Sequence, residues 1–208
     1  MRFILFVEGY TEHKVLPHFF KRWLDPKLSS PVGIKCVRFE GWAELLKDAP
    51  LKAKLYLNGP DKNEIIAVIS LLDLYGPTIY PPKLKDADER YNWAKKDIED
   101  KVGQSDFYQF FAVHEVEAWL LSEPSIFPPA VKKHFSAKMN HPEQVNSHEP
   151  PAKLLERLYP LYIGRSYKKV ANGKDLFSKL DPDIAYRKCP RLRELLDKML
   201  RLAEDYNR

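Results

Sequence analysis

The stretch FILFVEGYTE, residues 3–12, decides the fold of this chain. Its apolar residues 3–7 predict a buried strand, which ends abruptly in Glu8 and a glycine. An amphipathic helix is predicted over residues 12–24, with Thr11 as its N-cap, because bulky apolar side chains recur there at helical spacing. Glu8 is therefore expected on a tight strand-to-helix turn, at the edge where open α/β sheets place their ligands.

Two further apolar runs repeat this arrangement. Residues 64–73 predict a strand that ends in Asp73, and residues 107–113 predict one that runs into two glutamates. A more alternating segment at 32–39 predicts a strand nearer the sheet edge, and helices are expected between the strands. The pattern indicates an α/β fold with a mainly parallel central sheet flanked by helices. The acidic strand ends would converge if these strands are neighbours.

Length and composition indicate one well-cored domain, or a domain with an appendage. The chain has 208 residues, of which 44% are hydrophobic and 12% aromatic. From residue 122 onward prolines and short helical stretches predominate, so we expect an α/β core over 1–122 and a helical, basic C-terminal appendage over 123–208. No apolar run approaches the ~20 residues of a membrane helix and no signal-peptide cleavage site is visible. A cytoplasmic protein without membrane contact is expected.

Charge is divided unevenly along the chain. Residues 1–128 carry 17 Lys and Arg against 19 Asp and Glu, whereas residues 129–208 carry 17 against 10. A basic excess facing an acidic cluster would suit a metal site opposite a phosphate-binding surface. The C-terminal candidates for contact with nucleic acid, including one ring that could stack on a base, are Arg165, Tyr167, Lys168, Lys169, Lys174, Arg187 and Lys188. A solvated basic face would account for the same residues about equally well.

The strand-end carboxylates are candidates for a metal site. Carboxylate oxygens suit Mg²⁺ or Mn²⁺, and such a metal polarises a phosphoryl oxygen and activates water. The candidate metal ligands and catalytic groups are Glu8, Asp73, Glu115 and Glu117. The alternative is that these acids cap the helices that follow them. Three strands that each end in an acid favour a shared site.

These motifs together resemble the TOPRIM fold, a Rossmann-like α/β domain of topoisomerases, primases and OLD-type nucleases. The resemblance covers residues 1 to about 122, and the segments that carry it are Val7-Glu8-Gly9 with Thr11-Glu12, then residues 71–76, then residues 114–118. More narrowly, the chain is similar to short stand-alone TOPRIM-like proteins that occur among bacterial and archaeal defence genes, often beside an ABC-type ATPase.

The resemblance implies roles for individual residues. Glu8 matches the family's glutamate, a metal ligand or general acid and base, and Asp73 matches the first aspartate of the Asp-x-Asp motif. Tyr75 occupies the second aspartate position. Either Glu115 or Glu117 therefore supplies the missing ligand, or one metal suffices, or the site is degenerate.

The function that the resemblance implies is a Mg²⁺- or Mn²⁺-dependent nuclease that hydrolyses DNA or RNA. Defence against phages or mobile elements, and an ABC-type ATPase as a possible partner, follow from the same resemblance. The alternative is a catalytically silent adaptor module that binds nucleic acid or the ATPase. Tyr75 at an acidic position is the best support for that alternative.

Overall fold

A four-stranded parallel sheet forms the centre of the computed structural model, which describes residues 1–135, 140–144 and 149–206. The strands are β1 (Arg2–Val7), β2 (Gly33–Arg38), β3 (Ile65–Asp73) and β4 (Phe107–Ala112). They are ordered β2-β1-β3-β4, and each neighbouring pair is parallel. The predicted α/β class with a parallel central sheet is confirmed.

Helices cover both faces of the sheet. The crossover helices are α1 (Tyr10–Leu24), α2 (Trp42–Asn58) and α3 (Ala87–Val102). Phe3 and Leu5 of β1 pack in one hydrophobic cluster with α1, whereas Ile4 and Phe6 pack in a second cluster with α2 and α3. This division arises because successive side chains of a strand point to opposite faces.

The direction of winding reverses between β1 and β3. From β1 the chain moves outward to β2, and it then returns to place β3 on the other side of β1. The helix after β1 and the helix after β3 leave toward opposite faces, which opens a crevice at the carboxyl ends of these strands. Glu8 follows β1 and Asp73 ends β3, so both lie at this crevice.

The C-terminal helices pack on the α1 face of the sheet. They are α4 (Glu117–Leu121), α5 (Pro129–Lys132), α6 (Pro151–Ile163), α7 (Lys169–Lys179), α8 (Pro182–Lys188) and α9 (Pro190–Tyr206). Leu155, Phe177 and Leu196 are buried in the same hydrophobic cluster as α1. The division of the chain at residue 122 remains a prediction. Among the described helices, none has both the length and the apolar character needed to cross a membrane.

The turn after β1 differs from the prediction. Helix α1 begins at Tyr10 and Gly9 takes the N-cap position, so Thr11, which we predicted as the N-cap, lies inside the first turn and is buried. Gly9 has extended backbone angles (φ −131°) that other residues also adopt. A Cβ atom at this position would instead collide with the carboxylate of Glu12. The glycine therefore leaves room for the Glu12 carboxylate in the conformation that it has here.

Candidate active site

Glu8 and Asp73 meet at the crevice between β1 and β3. The Oε1 atom of Glu8 accepts a hydrogen bond from the backbone N–H of Asp73, at 2.8 Å. The Oδ1 atom of Asp73 in turn accepts one from the backbone N–H of Val116, at 3.3 Å. Because Val116 lies in the loop after β4, the carboxyl ends of three strands are joined at one point. The structure thus brings two of the predicted site residues into direct contact.

Glu12 and Glu117 add two buried carboxylates beside this pair. Only 8% of Glu12, in the first turn of α1, and 1% of Glu117, the first residue of α4, are exposed. The Oε2 atom of Glu117 is buried without a hydrogen-bond partner among the described residues. Burying a carboxylate oxygen without a partner is costly, so this atom favours a nearby cation or donor.

Burial and mutual repulsion raise the pKa values of these acids. Burial raises the pKa of Glu8, and the charge of Glu12 adds to the effect. Burial also raises the pKa of Asp73 well above its usual range, and the charges of Glu8, Glu12 and Glu117 raise it further. The pKa values of Glu12 and Glu117 are raised by burial as well, that of Glu117 to about 7. Acids that disfavour each other's ionised forms have a strong electrostatic preference for a cation among them.

Lys169, the first residue of α7, provides a positive charge at this place. Its Nζ atom lies 3.4 Å from Oε1 of Glu117. Burial disfavours the ammonium ion, but the charges of Glu117, Glu115 and Asp73 outweigh it, so the pKa of Lys169 is raised. We predicted Lys169 as part of a basic surface for nucleic acid, and the structure places its ammonium group beside the acidic cluster. Contact of Lys169 with nucleic acid remains a prediction.

The close packing of α7 on α1 positions this ammonium group. Gly173 is buried in α7, and a Cβ atom there would lie 3.2 Å from Cγ2 of Thr11. That distance is short for a carbon–carbon contact. A Cβ atom at Gly173 would require Thr11 or α7 to move by a few tenths of an ångström, so glycine permits the close approach that brings Lys169 to the acids.

Glu115 is occupied by a different contact. Its Oε2 atom accepts a hydrogen bond from the backbone N–H of Ala152, at 3.0 Å, in the first turn of α6. Negative charge is favoured at the N-terminus of a helix. The capping alternative therefore describes Glu115, although the helix that it caps is α6 and not α4, which follows it in the chain.

The other basic residues predicted to bind nucleic acid lie outside the acidic cluster. Four of them are exposed, namely Arg165, Lys168, Lys174 and Arg187. Two of these, Arg165 and Lys168, line a surface cavity of about 790 Å³ beside Tyr159. The exposed residues remain candidates for backbone contacts.

Two of the residues that we predicted to contact nucleic acid make contacts within the protein. Lys188 donates from Nζ to the backbone oxygen of Ser122, at 2.8 Å, and so fastens the segment after α4. Tyr167 is 6% exposed, and its ring packs against that of Tyr159 with centroids 5.2 Å apart. The prediction that Tyr167 stacks on a base is therefore wrong for this arrangement, because its ring belongs to the core between α6 and α7.

The acids do not form a finished coordination shell. Across residues 1–135, 140–144 and 149–206, no group of three or more His, Cys, Asp or Glu side chains is placed to hold a metal ion. The donor chemistry still suits a hard divalent cation, because the neighbours are carboxylates and Oε2 of Glu117 has no partner in this part of the chain. A metal would be held only after these side chains turn toward a common point.

Glu12 was not among the candidate ligands from the sequence. The sequence feature that indicates Glu12 is its distance from Glu8. An acid four residues after a strand-end acid falls in the first turn of the next helix. Both positions then lie at the same edge of the sheet. In the structure the Glu12 carboxylate does lie beside the turn after β1, because a Cβ atom built on Gly9 would touch it.

The stability of the metal-free protein is expected to fall as the pH rises from about 5 to about 8. Burial raises the pKa values of Glu117 and Glu143 from 4.5 to about 7. Between these values the folded state holds more protons than the unfolded chain, so raising the pH destabilises the folded state. We expect Tm to fall by about 5 °C, measured by thermal unfolding in EDTA. Glu143→Gln should flatten this dependence, and an unchanged Tm across the range would contradict the prediction.

Comparisons with known proteins fit this architecture. The family described as "Domain of unknown function (DUF4276)" matches residues 7–200. No curated protein matches the chain significantly. The C-terminal region of the Burkholderia pseudomallei OLD protein has a TM-score of 0.51 and 21% identity, over 99% of this chain and 98% of that one. The C-terminal region of the Xanthomonas campestris pv. campestris OLD protein has a TM-score of 0.43 and 18% identity, over 100% and 97%.

At these identities the similarity concerns the fold alone. The Burkholderia structure shows that the chain has an OLD-related fold. The resemblance to OLD-type proteins is confirmed at that level, and the narrower assignment to TOPRIM remains a prediction. The contacts among the acids at the crevice between β1 and β3 are observed in this chain itself and do not depend on the comparison.

Proposed function

This chain belongs to the DUF4276 family, and we propose that it is a divalent-metal-dependent nuclease that hydrolyses phosphodiester bonds of DNA or RNA. The observation that carries the proposal is the convergence of Glu8, Asp73 and Glu117 with Lys169 at the crevice between β1 and β3. Carboxylates of raised pKa at such a crevice are typical of functional sites.

Glu8, Asp73 and Glu117 would supply carboxylate oxygens to Mg²⁺ or Mn²⁺. When bound there, such an ion polarises a phosphoryl oxygen and lowers the pKa of a bound water. Glu12 adds a fourth carboxylate at a site where Tyr75 occupies the second acidic position of the TOPRIM motif. In this proposal Glu12 takes the place that we predicted for Glu115, because Glu115 already accepts a hydrogen bond from α6.

Lys169 would act on the phosphate rather than on the metal. Its ammonium group is held beside Glu117 and stays protonated, because the surrounding acids raise its pKa. A fixed positive charge at this position stabilises negative charge that develops on a phosphate oxygen as the bond breaks. The exposed Arg165 and Lys168 then extend the positive potential along the bound strand.

The broader setting rests on the sequence resemblance. TOPRIM-like proteins of this kind suggest a role in defence against phages or mobile elements, with an ABC-type ATPase as a partner. The OLD-related fold is compatible with this setting. An ATPase partner would fit a chain that has no glycine-rich phosphate-binding loop in its sequence.

One observation favours the alternative of a catalytically silent adaptor. Within the described parts of the chain the acids do not form a metal-holding group, and Lys169 already neutralises part of their charge. An adaptor of this kind would bind nucleic acid or the ATPase without turnover. Its stability would hardly respond to Mg²⁺ or Mn²⁺.

Thermal unfolding with and without Mn²⁺ distinguishes the two functions. A ligand that binds only the folded state stabilises it by mass action, by about 2.7 kcal/mol at a hundredfold excess over Kd. We therefore expect Mn²⁺ to raise the Tm of the wild type by about 5 °C or more. The shift should disappear in Asp73→Asn, and Mn²⁺-dependent cleavage of labelled DNA or RNA should disappear with it.

The matched control is Glu64→Gln. Glu64 is an exposed acid just before β3, at the opposite end of the sheet, and it pairs with Arg2 at 3.4 Å. Its replacement should leave the Mn²⁺ shift intact. A wild-type protein that neither responds to Mn²⁺ nor cleaves any substrate would support the adaptor and reject the nuclease.

A further inference from the structure

Two exposed tyrosines flank the carboxylates. Tyr10 lies two residues after Glu8 and Tyr75 lies two residues after Asp73, and each has 49% of its surface exposed. Glu8 and Asp73 are in direct contact through the hydrogen bond from the backbone N–H of Asp73. The two tyrosines therefore stand on the two chain segments that meet at the site.

Trp42 and His114 extend this aromatic border. The rings of Tyr75 and His114 are edge-on, with centroids 5.6 Å apart. Trp42 is near Glu8, because a Cβ atom built on Gly76 would lie 3.6 Å from Cδ1 of Trp42 and 4.0 Å from Oε2 of Glu8. We call the four side chains Tyr10, Trp42, Tyr75 and His114 the aromatic rim.

Cations accompany the aromatic rim at Tyr10. The Nζ atom of Lys14 lies 5.2 Å from the centroid of the Tyr10 ring, and Cζ of Arg38 lies 6.0 Å from it. Lys14 and Arg38 are both exposed. Both cations lie over the ring, and Arg38 also pairs with Glu40. A base that stacks on Tyr10 would take their place on the ring face, and their charges would then contact the adjoining phosphates.

We propose that the aromatic rim binds unpaired nucleotides, so that the site acts on single-stranded DNA or RNA and not on a duplex. The proposal deepens the nuclease function and rests on it for the position of the phosphate to be cleaved. Base faces are available for stacking only in a single strand, because in a duplex they are stacked on their neighbours. Tyr10 follows Glu8 after β1 and Tyr75 follows Asp73 at the end of β3, so a base stacked on either ring would bring its strand to the edge of the sheet that carries the carboxylates.

Binding without cleavage tests this proposal directly. Fluorescence anisotropy in EDTA would compare an oligothymidine, an oligomer of equal length and charge with abasic positions, and a duplex. The wild type should bind the base-bearing strand most tightly. Tyr10→Ala and Tyr75→Ala should each weaken that binding by about tenfold and leave the binding of the abasic strand unchanged. Tyr10→Phe and Tyr75→Phe should retain it, because phenylalanine keeps the stacking ring.

The matched control is Tyr206→Ala. Tyr206 is also exposed, at 41%, but its hydroxyl donates to the backbone oxygen of Asn63, at the amino end of β3. This control should bind like the wild type. An oligouridine in the same assay distinguishes RNA from DNA as the preferred strand.

Three results would overturn the proposal. They are equal affinity of the wild type for the base-bearing and abasic strands, duplex binding as tight as single-strand binding, and unchanged binding by folded Tyr10→Ala and Tyr75→Ala. Because the assay contains no metal, it also separates this proposal from the nuclease function. Base-dependent binding without cleavage in Mn²⁺ would support the rim and assign the protein to the adaptor class.

Discussion

Replacing Glu8 with glutamine should reduce metal-dependent cleavage by about a hundredfold or more and should also raise the Tm of the metal-free protein. The first effect follows because the substitution removes a charged oxygen from the proposed metal site. The second follows because burial and the charge of Glu12 disfavour the ionised form of Glu8, whose pKa is raised. Glutamine has nearly the same shape, and its oxygen can still accept the hydrogen bond from the N–H of Asp73. Its amide nitrogen cannot accept the second backbone hydrogen bond, from Trp42, so the gain in Tm is smaller than removal of the charge alone would give.

Opposite effects on activity and stability make this prediction specific. A substitution that merely damaged the fold would lower both, so cleavage rates and Tm would be measured on the same preparation. Glu64→Gln is again the control, because an exposed ion pair contributes little to stability. Cleavage by Glu8→Gln at the wild-type rate would remove Glu8 from the mechanism.

Replacing Lys169 with methionine should lower the cleavage rate by about a hundredfold without weakening Mn²⁺ binding. The ammonium group faces the phosphate in our proposal, and its removal leaves the acids with more negative charge for a metal. The Mn²⁺-induced rise in Tm should therefore be retained or enlarged. Lys169 also lowers the pKa of Glu117, so the acidic limb of the pH–rate profile should move to higher pH.

The pH–rate profile and the Mn²⁺ response separate this role from a structural one. Lys179→Met is the matched control, because Lys179 is an exposed lysine on the same helix and pairs with Asp175 at 2.7 Å. It should leave the rate and the profile unchanged. If Lys169→Met cleaved at the wild-type rate, its ammonium group would be a structural counter-charge only.

The strands, and which of them lie inside the sheet or at its edge, could be predicted because the pattern of apolar residues within each strand indicates both. β1 and β3 are unbroken apolar runs, buried on both faces as the innermost strands of the sheet. β2 alternates, and it lies at the sheet edge. Helix α8 (Pro182–Lys188) has no comparable local signal, because its seven residues after the Asp181 cap carry too short a pattern and the helix depends on packing against α9.

Only those residues of the site that lie at strand ends could be predicted from the sequence. Glu8 and Asp73 lie together because parallel neighbouring strands end at the same edge. The position of Lys169 depends on how closely α7 packs on α1, which a small residue at Gly173 permits and no local pattern records. Tyr167 has basic neighbours in the sequence, which favoured a surface position, yet it is buried against Tyr159.

The packing of α7 against α1 also has a consequence for the order of synthesis. Glu8 and Glu12 are synthesised first, and Lys169 is added more than 150 residues later. Until α7 has emerged and packed on α1, the nascent chain carries the acids without the lysine that partly neutralises them. Domains fold as units, and α1 and α7 share one hydrophobic cluster that is complete only when both are present. Under the proposed nuclease function, the site would therefore stay incomplete while the chain is still attached to the ribosome and its messenger RNA.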